Sequence, residues 1–249
     1  MTRSLLFGVF LLSHLFLIAQ ERSDPWLDQL LRQKASPLLQ NVLNHPDSFQ
    51  YQLIYTQIDR DRNNVPHFKN YYLHVSKDNY FNPASTVKMP LSFLALEKLN
   101  KMNVKGVDKE TSMLTDSSFD AQTKSWKDTS AANGLPSVAQ YIRKIFLVSD
   151  NDAYSRLYEF LGQEYINKRL WEMGYKDTRI TRRFVRMNAE QNRHTNAIRF
   201  TQGDRLLYTQ PPAYSKVIFD TSKKLLVGRA YLDRDDKLVN EPMDFTTHN

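Results

Sequence analysis

A serine hydroxyl and a lysine amine stand three positions apart in Ser85-Thr86-Val87-Lys88. Side chains with that spacing share a helix face, so the Lys88 amine can reach the Ser85 hydroxyl. A serine hydroxyl is a poor nucleophile near neutral pH until a neighbouring base takes its proton, and Lys88 is in position to be that base. The chemistry on offer is nucleophilic catalysis. By itself the spacing is a weak signal, because a chance S-x-x-K falls roughly once in a few hundred positions. The competing reading is an exposed lysine near a helix start.

Ser149-Asp150-Asn151 follows downstream, after the amphipathic stretch 138–148 and before another helical stretch. Each of these three residue types also favours a helix N-cap, which is what the tripeptide alone would suggest. Taken together and in this order, S-x-x-K and S-D-N resemble the class A β-lactamases and penicillin-binding proteins, in which the first serine is acylated. Phe81-x-x-Ala84-Ser85-x-x-Lys88 is similar to the class A nucleophile region in particular.

The resemblance implies a set of roles. Ser85 would attack a lactam carbonyl and form an acyl-enzyme. Lys88 would help remove its proton, and Ser149 would relay a proton towards the departing nitrogen. Asn151 would hold the substrate amide and help fix the lysine, while Asp150 would be structural. One of two oxyanion donors would be the Ser85 backbone N–H. A penicillin-binding D,D-peptidase acting on cell-wall peptides is the alternative activity.

The chain departs from that pattern in two places. Class A enzymes deacylate with a glutamate in an E-x-x-L-N motif, which does not occur here. Glu190 is the nearest acidic candidate in the expected loop, against the plainer reading of a surface glutamate. The third motif, K-T-G or a close variant, is absent after Asn151. The expectation is therefore a chain shortened at its C-terminus, lacking the last sheet strands and weakly active or inactive, with a non-enzymatic binding module as the extreme case.

The elements that must position these residues can be read from pattern. Asp24 and Pro25 open an amphipathic helix predicted to about Leu43, interrupted or kinked at Pro37. Strand-like runs at 51–58 and 68–75 flank a polar turn and suggest a hairpin. The nucleophile helix is predicted over 80–102, with an irregularity where Pro90 cannot donate to the carbonyl of Thr86. Residues 107–136 read as partly irregular. Helices are predicted near 137–147, 150–161 and 164–173, the last ended by Gly174. Extended segments are predicted at 216–220 and 225–232. The order points to an α+β domain over 21–249, a β-lactamase/D,D-peptidase-like helical cluster packed on an antiparallel sheet.

Composition bounds the remaining possibilities. Residues 1–20 have the layout of a secretory signal peptide, a basic start followed by a short apolar core. The apolar run is short for a membrane span of ~20 residues, so no stable insertion is expected once the signal is removed. A periplasmic or secreted monomer is the expectation. The chain has no cysteine, which excludes disulfides, thiol catalysis and thiolate metal sites. Its six histidines show no ligand spacing, so neither metal nor cofactor is expected. The formal charge is +7, and the densest basic cluster is Arg179-Ile180-Thr181-Arg182-Arg183-Phe184-Val185-Arg186. No nucleic-acid motif accompanies that cluster, which reads as a solvated or ion-paired face. The expected partner is a small molecule, a β-lactam or a cell-wall peptide.

Overall fold

The computed structural model describes residues 22–219, 226–233 and 235–245. The predicted signal segment, 1–20, lies outside the described residues. The chain divides into two compact units, Met1–Tyr80 and Phe81–Asn249.

In the first unit, helix α1 (Pro25–Gln33) starts where the Asp24 side chain accepts from Trp26 N, 3.1 Å away. The helix predicted to Leu43 is interrupted at Pro37, as expected, and forms two helices. Pro37 opens helix α2 (Pro37–Asn44) at its first position, where no N–H is needed, and Ser36 Oγ caps it by accepting from Leu39 N. Pro46 begins a third short helix, α3 (Pro46–Phe49). Strands β1 (Leu53–Arg60) and β2 (Pro66–Leu73) then pair antiparallel. Both lie about two residues nearer the turn than predicted, because the turn itself is tight. The Asp61 carboxylate accepts from Asn63 N and Val65 N, at 2.8 and 2.9 Å, and pairing runs on to Arg60 and Pro66. Leu27, Leu43, Tyr71 and Leu73 form the small core of this unit.

In the second unit, the nucleophile segment is a 3-10 turn (Ala84–Val87) followed by helix α4 (Lys88–Met102). Pro90 therefore falls in the first turn of α4, where its missing donor is harmless. Strand β3 (Ser112–Thr115) lies inside the stretch that reads as irregular. Four residues carry little pattern of their own, and their partner strand is far along the chain. Helix α5 (Val138–Val148) is capped by Ser137 Oγ, which accepts from Gln140 N at 3.1 Å. Helix α6 (Asn151–Leu161) is buried at every position from Ala153 to Leu161, and it packs against both α4 and α5.

Gly162, at φ +83°, separates α6 from helix α7 (Gln163–Glu172). A Cβ at Gly162 would come within 3.0 Å of Thr195 Cγ2. The end of α7 is closed by Tyr175 N on Leu170 O and Gly174 N on Trp171 O, both 3.0 Å, with Gly174 at φ +96°. Helix α8 (Ala189–Arg193) precedes strands β4 (Ile198–Gln202) and β5 (Arg205–Gln210), and the sheet order is β3-β4-β5, all antiparallel.

The β4–β5 hairpin was not predicted, although Gly203 at φ +58° after the alternating Ile198 and Phe200 is a legible turn signal. Residues 216–219 are not strand, and the predicted extended run from 225 breaks at Gly228. What remains are the two-residue strands β6 (Leu226–Val227), β7 (Tyr231–Leu232), β8 (Leu238–Val239) and β9 (Met243–Asp244), paired β6–β9 and β7–β8. Helices α4 to α7 and the inner faces of β3 and β4 share one apolar core, with Leu91, Tyr154, Leu157 and Phe200 fully buried. The mixed helix and sheet content agrees with the α+β expectation. Among the described residues no helix is long and apolar enough to cross a membrane.

Candidate active site

Ser85 is exposed, on the 3-10 turn that leads into α4. The residue before it, Ala84, has φ +43°, a left-handed backbone that costs a non-glycine residue about 1–2 kcal/mol. Local hydrogen bonds hold it there. Asn82 Oδ1 accepts from Ala84 N at 3.0 Å, and Thr86 Oγ1 donates to Pro83 O at 2.6 Å. Backbone strain of this kind concentrates at sites where one side chain must be presented at a set angle.

Lys88, the first residue of α4, is only 2% exposed. Its Nζ donates to the Ser149 carbonyl, to Ser149 Oγ at 2.9 Å and to Asn151 Oδ1 at 2.7 Å. The Phe184 ring lies beside it, centroid 5.3 Å from Nζ. Burial pushes the Lys88 pKa below its ordinary value, and the nearby Asp150 carboxylate opposes that shift. A lowered pKa leaves more of the amine in its neutral form, the form that can accept a proton from a serine hydroxyl.

The S-D-N tripeptide sits at the junction of two helices. Ser149, at φ +53°, ends α5 with its N–H on Ile145 O. Asp150 Oδ1 caps α6 by accepting from Ala153 N at 2.8 Å, and Asn151 is the first residue of that helix. The junction turns the Ser149 hydroxyl and the Asn151 amide oxygen towards one amine.

A cleft of about 470 Å³ has Ala84, Ser85 and Asn151 on its wall together with Arg182 and residues 184–187. That volume lies in the range of small-ligand sites. No carboxylate is among its described lining residues. The site residues predicted from sequence thus assemble in two overlapping groups. Lys88, Ser149 and Asn151 are joined by hydrogen bonds, while Ser85 and Asn151 share the cleft. Ser85 Oγ makes no hydrogen bond among the described residues. Glu190 joins neither group. It lies in the first turn of α8 and is exposed, with Oε1 3.2 Å from His194 Nε2 and Oε2 3.9 Å from Arg193.

Among the described residues the wall formed by 180–187 pairs with no strand, and side chains of α6 and α7 strap it in place. Asn167 both accepts from Ile180 N and donates to Ile180 O, at 2.8 Å each. Gln163 Nε2 and the Tyr158 hydroxyl donate to Thr181 O, and the Tyr154 hydroxyl donates to Arg182 O. Phe184 N donates to Ser155 Oγ at 3.2 Å, and its ring stacks on Tyr154 with centroids 4.3 Å apart. Arg183 points inward and is wholly buried, with Nε 3.1 Å from Glu159 Oε1 and Nη2 2.7 Å from His194 O. Arg156 holds the other oxygen of Glu159 at 3.0 Å. The basic cluster of the sequence is therefore divided, with Arg183 in the core and Arg182 and Arg186 on the cleft. Nothing in its composition distinguishes the one from the others.

Comparison with known proteins gives one match. The family model described as "Beta-lactamase enzyme family" fits residues 35–216, which is more than half of the chain. No curated protein and no solved structure matches.

Proposed function

The chain belongs to the β-lactamase enzyme family, and from that premise we propose that it is a class A-like serine hydrolase opening β-lactam rings through a Ser85 acyl-enzyme. Membership itself supports hydrolase activity of the serine β-lactamase type; the nucleophile, the class and the substrate are the proposal. The observation that carries it is the single amine of Lys88, bonded to both Ser149 Oγ and Asn151 Oδ1, while Asn151 shares the cleft wall with Ser85.

In this reading the Ser85 oxygen attacks the lactam carbonyl carbon as its proton leaves towards Lys88 in its neutral form. The C–N bond then breaks, and the nitrogen takes a proton by way of Lys88 and Ser149, which lie 2.9 Å apart. Asn151 orients the amine and the substrate amide. The Ser85 N–H, in the first turn of a helical segment, faces no intrahelical acceptor and serves the oxyanion. Water finally cleaves the ester and frees Ser85.

A second reading, a penicillin-binding D,D-peptidase-like enzyme whose acyl-enzyme persists, is favoured by one feature. Glu190, the candidate for orienting that water, is engaged with His194 rather than lining the cleft. Export by segment 1–20 to the periplasm or medium, as a monomer, belongs to the same proposal.

A fluorescent penicillin tests it. Covalent label on Ser85, lost in Ser85→Ala, is the expected result, and wild-type protein that never labels would end the reading. Label that decays within minutes favours the lactamase, and label that lasts for hours favours the peptidase-like enzyme.

A further inference from the structure

Resting on that reading of Ser85 and Lys88, we propose that Lys144 is a positioning residue for the reaction: by engaging Asp150 on the α5 side of the S-D-N junction, it keeps that carboxylate from fixing the Lys88 amine in its charged form. Asp150 Oδ1 is committed to the cap of α6, accepting from Ala153 N at 2.8 Å. Its Oδ2 lies 3.7 Å from Lys144 Nζ. The residues on either side of Asp150, Ser149 and Asn151, hold the Lys88 amine. One carboxylate thus sits between two lysines, with a different one engaged on each side.

Lys144 has the geometry for this task. It lies on α5 ahead of Ser149, and Asp150 N donates to its carbonyl at 3.4 Å, so backbone and side chain both tie it to the junction. Its Nζ also donates to Asp128 Oδ2 at 3.4 Å, and Asp128 is itself held by Ser130, whose N and Oγ donate to Oδ1. Lys144 exposes 23% of its side chain and Asp150 24%, so solvent screens the pair only in part. A carboxylate favours the charged form of a nearby amine, and Asp150 acts on Lys88 in that direction, against burial. A base must be neutral to take the Ser85 proton, so a cation beside Asp150 works in favour of the reaction. The other charges nearby are engaged or face elsewhere. Arg143 of α5 turns to Glu110 at 2.8 Å, and Asp152 of α6 lies 3.3 Å from Arg156. Lys124 lies over the Trp126 ring, Lys127 is exposed, and Arg182 and Arg186 stand on the cleft wall. Among the described residues, Lys144 is the cation that forms an ion pair with Asp150.

The test follows acylation of Ser85 by a penicillin against pH in wild type, Lys144→Met and Lys144→Arg. Lys144→Met should slow acylation at neutral pH by about two- to fivefold, the scale of one partly exposed ion pair, and move the rise in rate to higher pH. The rate on the high-pH plateau should stay at the wild-type value, because Lys88 is neutral there in both proteins. Lys144→Arg should restore the wild-type profile. A loss of the same size at every pH marks a merely structural role and overturns the inference. Asp150→Asn keeps a residue fit to cap α6; it should lower the pH of the rise and shrink the effect of Lys144→Met.

A titration arm separates this inference from the reading of Ser85. The Lys88 amine is titrated by NMR in Ser85→Ala protein carrying isotope-labelled lysine, its signal assigned by its loss in Lys88→Arg. A midpoint that moves up with Lys144→Met and returns with Lys144→Arg supports the inference even if Ser85 never acylates. A midpoint that Lys144→Met leaves in place, or that Lys144→Arg shifts as far as Lys144→Met does, overturns it even if Ser85 is the nucleophile.

Discussion

The amine of Lys88 lies 2.9 Å from the hydroxyl of Ser149, a residue 61 positions away in the chain, and 2.7 Å from the amide oxygen of Asn151. Those contacts satisfy the amine in a place where water scarcely reaches it. A buried ammonium is costly, so the proton is held less tightly than in solution.

The first prediction concerns pH. Because burial lowers the Lys88 pKa, the neutral amine is available below the ordinary lysine range of about 10.5. Ser85 acylation should rise with pH and level off at a midpoint under that value. Lys88→Arg, which keeps the charge and gives up the base, should slow acylation by about 10² or more and erase the rise. Stopped-flow acylation across pH 5 to 10 reads both. An unchanged profile in the variant would remove Lys88 from proton transfer.

The second concerns the strap beneath the cleft. Arg183 is wholly buried against Glu159, which Arg156 holds from the other side. Removing one member of such a group leaves a buried charge less compensated, at a cost of about 3–5 kcal/mol. Arg183→Met should therefore lower the unfolding free energy by that order, and adding Glu159→Gln should recover part of the loss. Urea titrations of the two single variants and the double supply the coupling energy. A single-variant cost below about 1 kcal/mol would show that the pair does not anchor the wall.

The third concerns Lys98, on the buried side of α4. Its Nζ donates to Phe160 O at 2.5 Å and lies over the Phe160 and Tyr165 rings, and no carboxylate pairs with it among the described residues. Burial pushes its pKa down to about 8, below the unfolded value of 10.5. The unfolded chain thus binds this proton more tightly than the folded one. The group's stabilising contribution is full above about pH 10.5 and is lost as pH falls towards 8. Lys98→Met keeps the apolar stem, and Gln210 Nε2 still donates to Phe160 O at 3.0 Å. The variant should melt a few degrees higher at pH 7, about 2–4 °C for each 1 kcal/mol gained, and its advantage should shrink between pH 8 and 10.5. Thermal scans at several pH values decide the matter; a lower melting temperature at pH 7 contradicts it.

Much of the site was legible because it is written in short-range hydrogen bonds and helix spacing. Asp150 has the residue type and position of an N-cap, so a local rule reaches it. The expected approach of the Lys88 amine to the Ser85 hydroxyl, by contrast, is not among the hydrogen bonds of the described residues: Ser85 sits on a 3-10 turn and the amine turns to Ser149 and Asn151. Ser36-Pro37 carried the same kind of signal, a cap followed by a first-position proline, and so two helices stand where one interrupted helix was predicted. Strand β3 was not legible, since a four-residue strand owes its existence to β4, some 80 positions later. Glu190 shows the limit of proximity along the chain, because α8 turns it towards His194.

The amino-acid order alone determined the chemistry available to this protein: a serine with a lysine three residues on, a second serine and an asparagine between two helical stretches, and four arginines spread over 179–186, without cysteine or metal-ligand spacing. Tertiary structure alone decided that Lys88 is buried and meets Ser149 and Asn151, and that Arg183 faces the core while Arg182 and Arg186 face the cleft. The reason is physical. A segment with neither helix nor strand has no period to set which side chains point inward, so its orientation comes from the side chains of α6 and α7 that hydrogen-bond its backbone.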